Sequence, residues 1–217
     1  IDKYPNVKLV LSAKAFAMLP QFFDIENLSD RCLVVKDGDE LDLGSHKLKF
    51  IMAPMVHWPE VMVEYEVSEK ILFSADGFGK FGALSADEDW ACEARRYYFN
   101  IVGKYGAPVQ TLLKKASTLD IKTICPLHGP ILNENLDYYI GKYLTWSSYE
   151  PEDEGVLIAC ASIHGNTKMV AEKLADILKE KGCKKVAFTD LARDDMAEAI
   201  EDAFRYDKLV LAAATYD

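Results

Sequence analysis

A chain of 217 residues, half of them hydrophobic, is long enough to bury one or two cores, yet it holds no uncharged apolar run of membrane-spanning length. Its formal charge of −10 at pH 7 argues against a general nucleic-acid binder, whose surface would be basic.

In chain order, Lys8 to Leu11 reads as a strand that passes through Ser12 into a helix with Phe16 and Leu19 on its apolar side. Arg31 to Val35, Glu40 to Leu43, Lys47 to Ile51, Val61 to Val67 and Lys70 to Phe73 follow as strands, with Lys36-Asp37-Gly38-Asp39 as one turn. The alternation in His46-Lys47-Leu48-Lys49-Phe50 predicts a strand with one wet face. Helices are expected at Asp87 to Phe99 and Pro108 to Leu119, then a strand at Ile121 to Cys125. The acidic, proline-containing stretch Tyr149 to Gly155 divides the chain into domains 1–150 and 151–217. Beyond it come a strand at Val156 to Cys160, a loop, a helix from Met169 stopped by Gly182, a strand at Lys185 to Phe188, a helix at Asp194 to Phe204 and an apolar strand at Lys208 to Ala214. The fold class is therefore α/β, and this last βαβαβ series implies a parallel sheet. Ending on an apolar strand leaves that sheet without its outer neighbour, so a longer parent chain is expected.

The loop is Ser162-Ile163-His164-Gly165-Asn166-Thr167. Strand, small polar loop and helix in this order hold phosphates, because the first N–H groups of a helix lack intrahelical partners and carry partial positive charge. Ser162 and Thr167 add hydroxyl donors, Gly165 permits the turn, and Asn166 or Thr167 can cap the helix. An ordinary βα turn would use the same residue types.

Three further side chains sit just beyond strands: His57, Asp76 and His128. Strand ends on one sheet edge can converge, and two imidazoles with a carboxylate able to bridge suit a divalent or trivalent metal. Taken singly, Asp76 has a helix-cap reading, while His57 and His128 lie among prolines and have turn readings. Trp58, Phe78 and Phe81 read as packing, with walls of a metal pocket as the alternative, and Tyr97-Tyr98-Phe99 as a buried helix face or a subunit contact. The acidic runs Asp87 to Asp89 and Glu150 to Glu154 read as helix-start and linker charges. Ile1 to Pro5 lacks the character of a secretion signal, and Cys32, Cys92, Cys125, Cys160 and Cys183 show no CxxC spacing. A cytoplasmic protein with reduced structural thiols is expected.

The loop at Ser162, Gly165 and Thr167 resembles the first phosphate loop of flavodoxins, with His164 where a hydroxyl residue is usual. The words His57-Trp58-Pro59, Leu72 to Gly79 and Pro126-Leu127-His128-Gly129-Pro130 resemble the later ligand motifs of the metallo-β-lactamase fold. Joined in this order, the two modules resemble the flavodiiron proteins, or A-type flavoproteins. The resemblance implies the C-terminal part of a metallo-β-lactamase-like αββα sandwich, then the first βαβαβ portion of a flavodoxin-like doubly wound sheet. It implies two iron ions, His57 on one, His128 on the other and Asp76 between them. It also implies FMN held by Ser162 to Thr167 and by Thr215-Tyr216-Asp217, which follows the third strand beside the flavin ring. Reduction of dioxygen to water or of nitric oxide to nitrous oxide, a head-to-tail homodimer and a rubredoxin-like electron donor are implied as well. The family's first ligand cluster, His-x-Glu-x-Asp-His, is absent from these residues and is expected upstream of Ile1. Two other readings stand beside this one: a zinc-dependent hydrolase of the same fold, and a metal-free FMN electron carrier or scaffold.

Overall fold

The computed structural model describes residues 3–215. Strand β1 (Leu9–Ser12) lies parallel to β2 (Cys32–Val35), and the chain between them forms helix α1 (Ala13–Met18), a tight turn at Leu19–Gln21 and the single-turn helix α2 (Leu28–Arg31). Ser12 explains the abrupt switch from strand to helix. Its oxygen accepts from the Ala15 N–H at 3.1 Å, while its hydroxyl donates to the Glu60 carbonyl at 2.9 Å.

The main sheet runs β3 (Glu40–Asp42), β4 (Lys47–Met52), β5 (Met62–Glu66), β6 (Ile71–Phe73) and β7 (Thr123–Cys125) in spatial order. Its first four strands are antiparallel and β7 joins β6 in parallel. The strands expected from the sequence are all present, several trimmed by a residue or two. The expected wet face on β4 is confined to its start: Phe50 and Ile51 point to opposite faces and both are buried, so both faces are covered there.

A parallel pair needs a crossover, and here it is helical. Helix α3 (Trp90–Tyr97) starts at Trp90 rather than Asp87, because the Asp89 carboxylate caps it by accepting from the Ala91 N–H at 3.4 Å. A π turn over Tyr98–Val102 and a 3-10 turn over Gly103–Tyr105 lead into α4 (Gly106–Ala116). Tyr97, Tyr98 and Phe99 are buried in the core, together with Val63, Leu72 and Ile124 from the sheet.

Helix α5 (Leu136–Ser147) is not among the expected elements, although Leu136, Tyr139, Ile140 and Tyr143 keep helical spacing; Gly141 and a run of tyrosines of modest helix propensity weaken that signal. Packing holds it instead. Tyr143 and Trp146 are almost completely buried, their rings 5.2 and 5.6 Å from Tyr98.

The last sheet is wholly parallel, formed by β8 (Asp153–Ala161), β9 (Val186–Asp190) and β10 (Tyr206–Ala213) in the order β10-β8-β9, with α6 (Asn166–Glu180) and α7 (Met196–Arg205) as the crossovers. The acidic run before β8 is more than solvated linker charge. Glu152 is largely buried and accepts from Arg95 Nε at 3.0 Å, from Trp146 Nε1 at 2.8 Å and from Lys142. Arg95 reaches across to Glu201 on α7 at 2.9 Å, and Phe99 stacks on Phe204 at 4.3 Å, so the two sheets' helices are joined by a buried ion pair with an aromatic contact beside it. All five cysteines are free thiols.

Candidate metal and flavin sites

Strand direction brings three separated residues together. Both β4 and β6 run antiparallel to β5, and β7 is parallel to β6, so β4, β6 and β7 all point the same way. His57, Asp76 and His128 each lie in the loop that follows one of these strands, at the same sheet edge. Loop-to-loop bonds fasten that edge: Leu127 N–H to the Ala75 carbonyl at 2.8 Å, Ser74 N–H to Cys125 at 3.2 Å and Ala53 N–H to Val61 at 2.9 Å.

Asp76 stands between the two imidazoles. His57 Nε2 is 3.2 Å from Asp76 Oδ2, and His128 Nε2 is 3.5 Å from Asp76 Oδ1. The histidines therefore take opposite oxygens, the arrangement of a bridge between two positions. Metal–ligand bonds of about 2.1 Å place neighbouring ligand atoms about 3.0 to 3.4 Å apart for octahedral to tetrahedral angles, close to both separations. His128 Nδ1 lies 3.3 Å from the Lys80 carbonyl, which can only accept. With Nδ1 directed at that carbonyl, Nε2 is the ring atom left to bind a cation beside the Asp76 carboxylate. The donor set thus fits metal.

The walls are tight on one side and open on the other. Tyr97 packs edge-on against His128 with centroids 4.5 Å apart, and burial together with the Asp76 charge pushes its phenol pKa up. A Cβ placed on Gly79 would lie only 2.5 Å from His128 Cε1. Of the three aromatics, Phe78 joins the core, whereas Trp58 and Phe81 remain partly exposed.

A second cluster gave no signal in the sequence, because its members lie on different helices. Cys92, Glu198 and Glu201 are the one set of three such ligand atoms within 4.8 Å of one another among the described residues. Arg95 and Arg96 already neutralise its carboxylates, so it belongs to the ion-pair network between α3 and α7. Burial pushes the Glu201 carboxyl up to about 7 against the pull of Arg95.

The phosphate-loop residues form a turn at the C-terminal end of β8. Gly165, at φ +87°, is the residue that precedes the first turn of α6, so neither Asn166 nor Thr167 is the cap as expected. Ser162 is buried and its oxygen accepts from the Gly165 N–H at 3.1 Å, which leaves its hydroxyl hydrogen free to donate; Ile163, His164, Gly165 and Asn166 are exposed, and Thr167 is half-buried. Strand β10 pairs in parallel with β8, Ala213 opposite Ala161, so Thr215 emerges beside this loop. The crevice between β8 and β10 is where strand order reverses, the usual ligand position in such sheets. Tyr216 and Asp217 lie outside the described residues.

The fold and these two sites define an α/β protein that couples a β-lactamase-like layer to a flavodoxin-like sheet. The family model for the ODP family beta lactamase matches residues 1–129. An uncharacterized protein of Methanocaldococcus jannaschii is 33% identical over 198 residues, covering 87% of this chain and 50% of the relative. The anaerobic nitric oxide reductase flavorubredoxin of Aeromonas hydrophila is 32% identical over 193 residues, covering 83% of this chain and 39% of the relative. Among solved structures, a mutant flavo di-iron protein from Thermotoga maritima superimposes with a TM-score of 0.86 at 28% identity, over 98% of this chain and 55% of that one. Rubredoxin oxygen:oxidoreductase from Desulfovibrio gigas gives 0.81 at 25% identity, over 94% and 53%. The chain belongs to the flavodiiron family, through its ODP-type beta-lactamase portion. It spans half or less of the length of these two sequence relatives.

Proposed function

We propose that the protein is a flavodiiron oxidoreductase in which His57 and His128 each ligate one iron and Asp76 bridges the pair. The observation that carries this reading is the Asp76 carboxylate facing one imidazole with each oxygen, at 3.2 and 3.5 Å. The remaining ligands would come from residues outside this chain. FMN would sit at Ser162 to Thr167, with Thr215 beside it and Tyr216 and Asp217 following. The division at 150/151 would separate the metal portion from the flavin portion.

Bound iron and flavin supply the electron-transfer chemistry, with dioxygen or nitric oxide as the acceptor. Names of relatives support that pair of substrates: one is called a nitric oxide reductase, another an oxygen oxidoreductase. The chain's own residues hold and orient. The Lys80 carbonyl keeps the proton on His128 Nδ1, Tyr97 fixes the ring plane, and Asp76 supplies charge to both metal positions. Ser162 and the first N–H groups of α6 would bind the flavin phosphate. A head-to-tail homodimer, bringing one subunit's flavin beside the other's irons, and a rubredoxin-like donor complete the proposal. No helix among the described residues is long and apolar enough to cross a membrane. The cytoplasm is proposed as its site of action.

The test is anaerobic reduction of the protein expressed from its complete coding sequence, followed by dioxygen or nitric oxide. Flavin reoxidation with formation of water or nitrous oxide supports the reading. Zinc in place of iron, with hydrolytic turnover and no gas consumption, would overturn it.

A further inference from the structure

Between the main sheet and its helices lies a cavity of about 350 Å³, separate from the proposed metal and flavin residues. Its walls are mostly aliphatic: Leu72 and Ile124 from the paired strands β6 and β7, Leu113 and Ala116 from α4, and Leu136 and Ile140 from α5. Polar atoms are contributed by Ser117, Asp120 and Asp137, on the loop after α4 and at the start of α5. Asp120 and Ile121 precede β7, whereas Phe78, which also lines the cavity, follows β6. Since β6 and β7 are parallel, the cavity extends from the edge where these strands begin toward the edge where they end. That second edge carries Asp76 and His128. Phe78, two residues from Asp76 and 4% exposed, lines the cavity and packs on Tyr143 at 4.4 Å.

An enclosed apolar hollow near 150 Å³ takes up benzene or xenon, and the aliphatic part of this larger cavity, open at its Asp120 and Asp137 rim, offers walls of the same kind. A small apolar gas loses little by leaving water, whereas ions and sugars would meet almost no hydrogen-bond partners on the aliphatic walls. We propose that this cavity is a binding site for small apolar diatomic gases, through which they pass from the Asp120 and Asp137 rim to the Phe78 wall beside Asp76. The proposal rests on the reading above that such a gas is the substrate, and it adds the route and the residues that set it.

Xenon is the probe, because its binding needs neither metal nor flavin. Crystals of the complete protein pressurised with xenon should show an atom among Leu72, Leu113, Ile124 and Ile140. Ala116→Phe, which projects a ring into the space, should abolish that atom and raise KM for the gas several-fold while iron content is retained. If Ala116→Phe does not fold, as judged by circular dichroism, Ala116→Leu is expected to reduce xenon occupancy in the same place. An empty cavity in the pressurised wild type, or xenon undisturbed by the folded variant, overturns the inference. Xenon in the cavity of a protein that holds no iron would leave the gas site standing and overturn the proposed function instead.

Discussion

Gly79→Ala is a sharp test of how the backbone shapes the metal edge. Gly79 does not adopt a left-handed conformation, so an alanine meets no intrinsic backbone penalty there and any effect is steric. The added Cβ would lie 2.5 Å from His128 Cε1 and 2.7 Å from Nδ1, where 3.4 Å is an ordinary contact. The ring must therefore retreat by 3.4 − 2.5 = 0.9 Å, or the loop must move as far. Metal–ligand distances tolerate only about 0.2 Å, so the retreat removes His128 from its proposed iron. Overpacking of this size costs about 1–3 kcal/mol, small enough for a folded variant. Metal analysis and thermal unfolding of the complete protein, wild type beside variant, read both quantities. Loss of one iron or both from a folded, FMN-loaded variant is expected. A variant that keeps the full iron content with His128 unmoved would refute the reasoning.

Other perturbations address the junction and the flavin loop. Arg95→Met leaves Glu152 and Glu201 without their shared cation and is expected to destabilise by about 3–5 kcal/mol at pH 8, measured by urea unfolding; a loss below about 1 kcal/mol would show that the pair is dispensable. Glu201 titrates near 7 in the fold against 4.5 for a free side chain. Its contribution to stability is therefore fully present below pH 4.5 and is lost as pH rises toward 7. Glu201→Gln should flatten the stability profile across that window by at most about 3 kcal/mol, and an unchanged slope would contradict the assignment. Gly165→Ala forces a side chain into a left-handed conformation at the proposed flavin loop and should cost about 1 kcal/mol and weaken FMN binding, read by fluorescence titration. Unaltered FMN affinity would remove Gly165 from the phosphate site.

Much of the fold was legible because the relevant signals are local. The alternation and turn chemistry around Lys36 to Asp39 located β2 through β4, and the run Val156 to Cys160 with its polar loop located β8 and α6. Helix α5 was legible in the spacing of Leu136, Tyr139, Ile140 and Tyr143 but masked by the weak helical preference of its tyrosines and Gly141, and Tyr143 and Trp146 packing on Tyr98 adds to its order. Glu152 looked like linker charge because its partners Arg95 and Lys142 are remote or on another element. His57, Asp76 and His128 were each visible as residues beyond strands. Their convergence was not, because it depends on β4, β6 and β7 sharing one direction, which the spacing of the residues does not reveal.

The most direct measurement of the central claim is metal and flavin content of the complete protein, wild type against Asp76→Ala. Iron at about two per FMN is expected in the wild type, and loss of iron with FMN retained in the variant. Both irons retained after removal of the Asp76 carboxylate would contradict the bridging role on which the site is built.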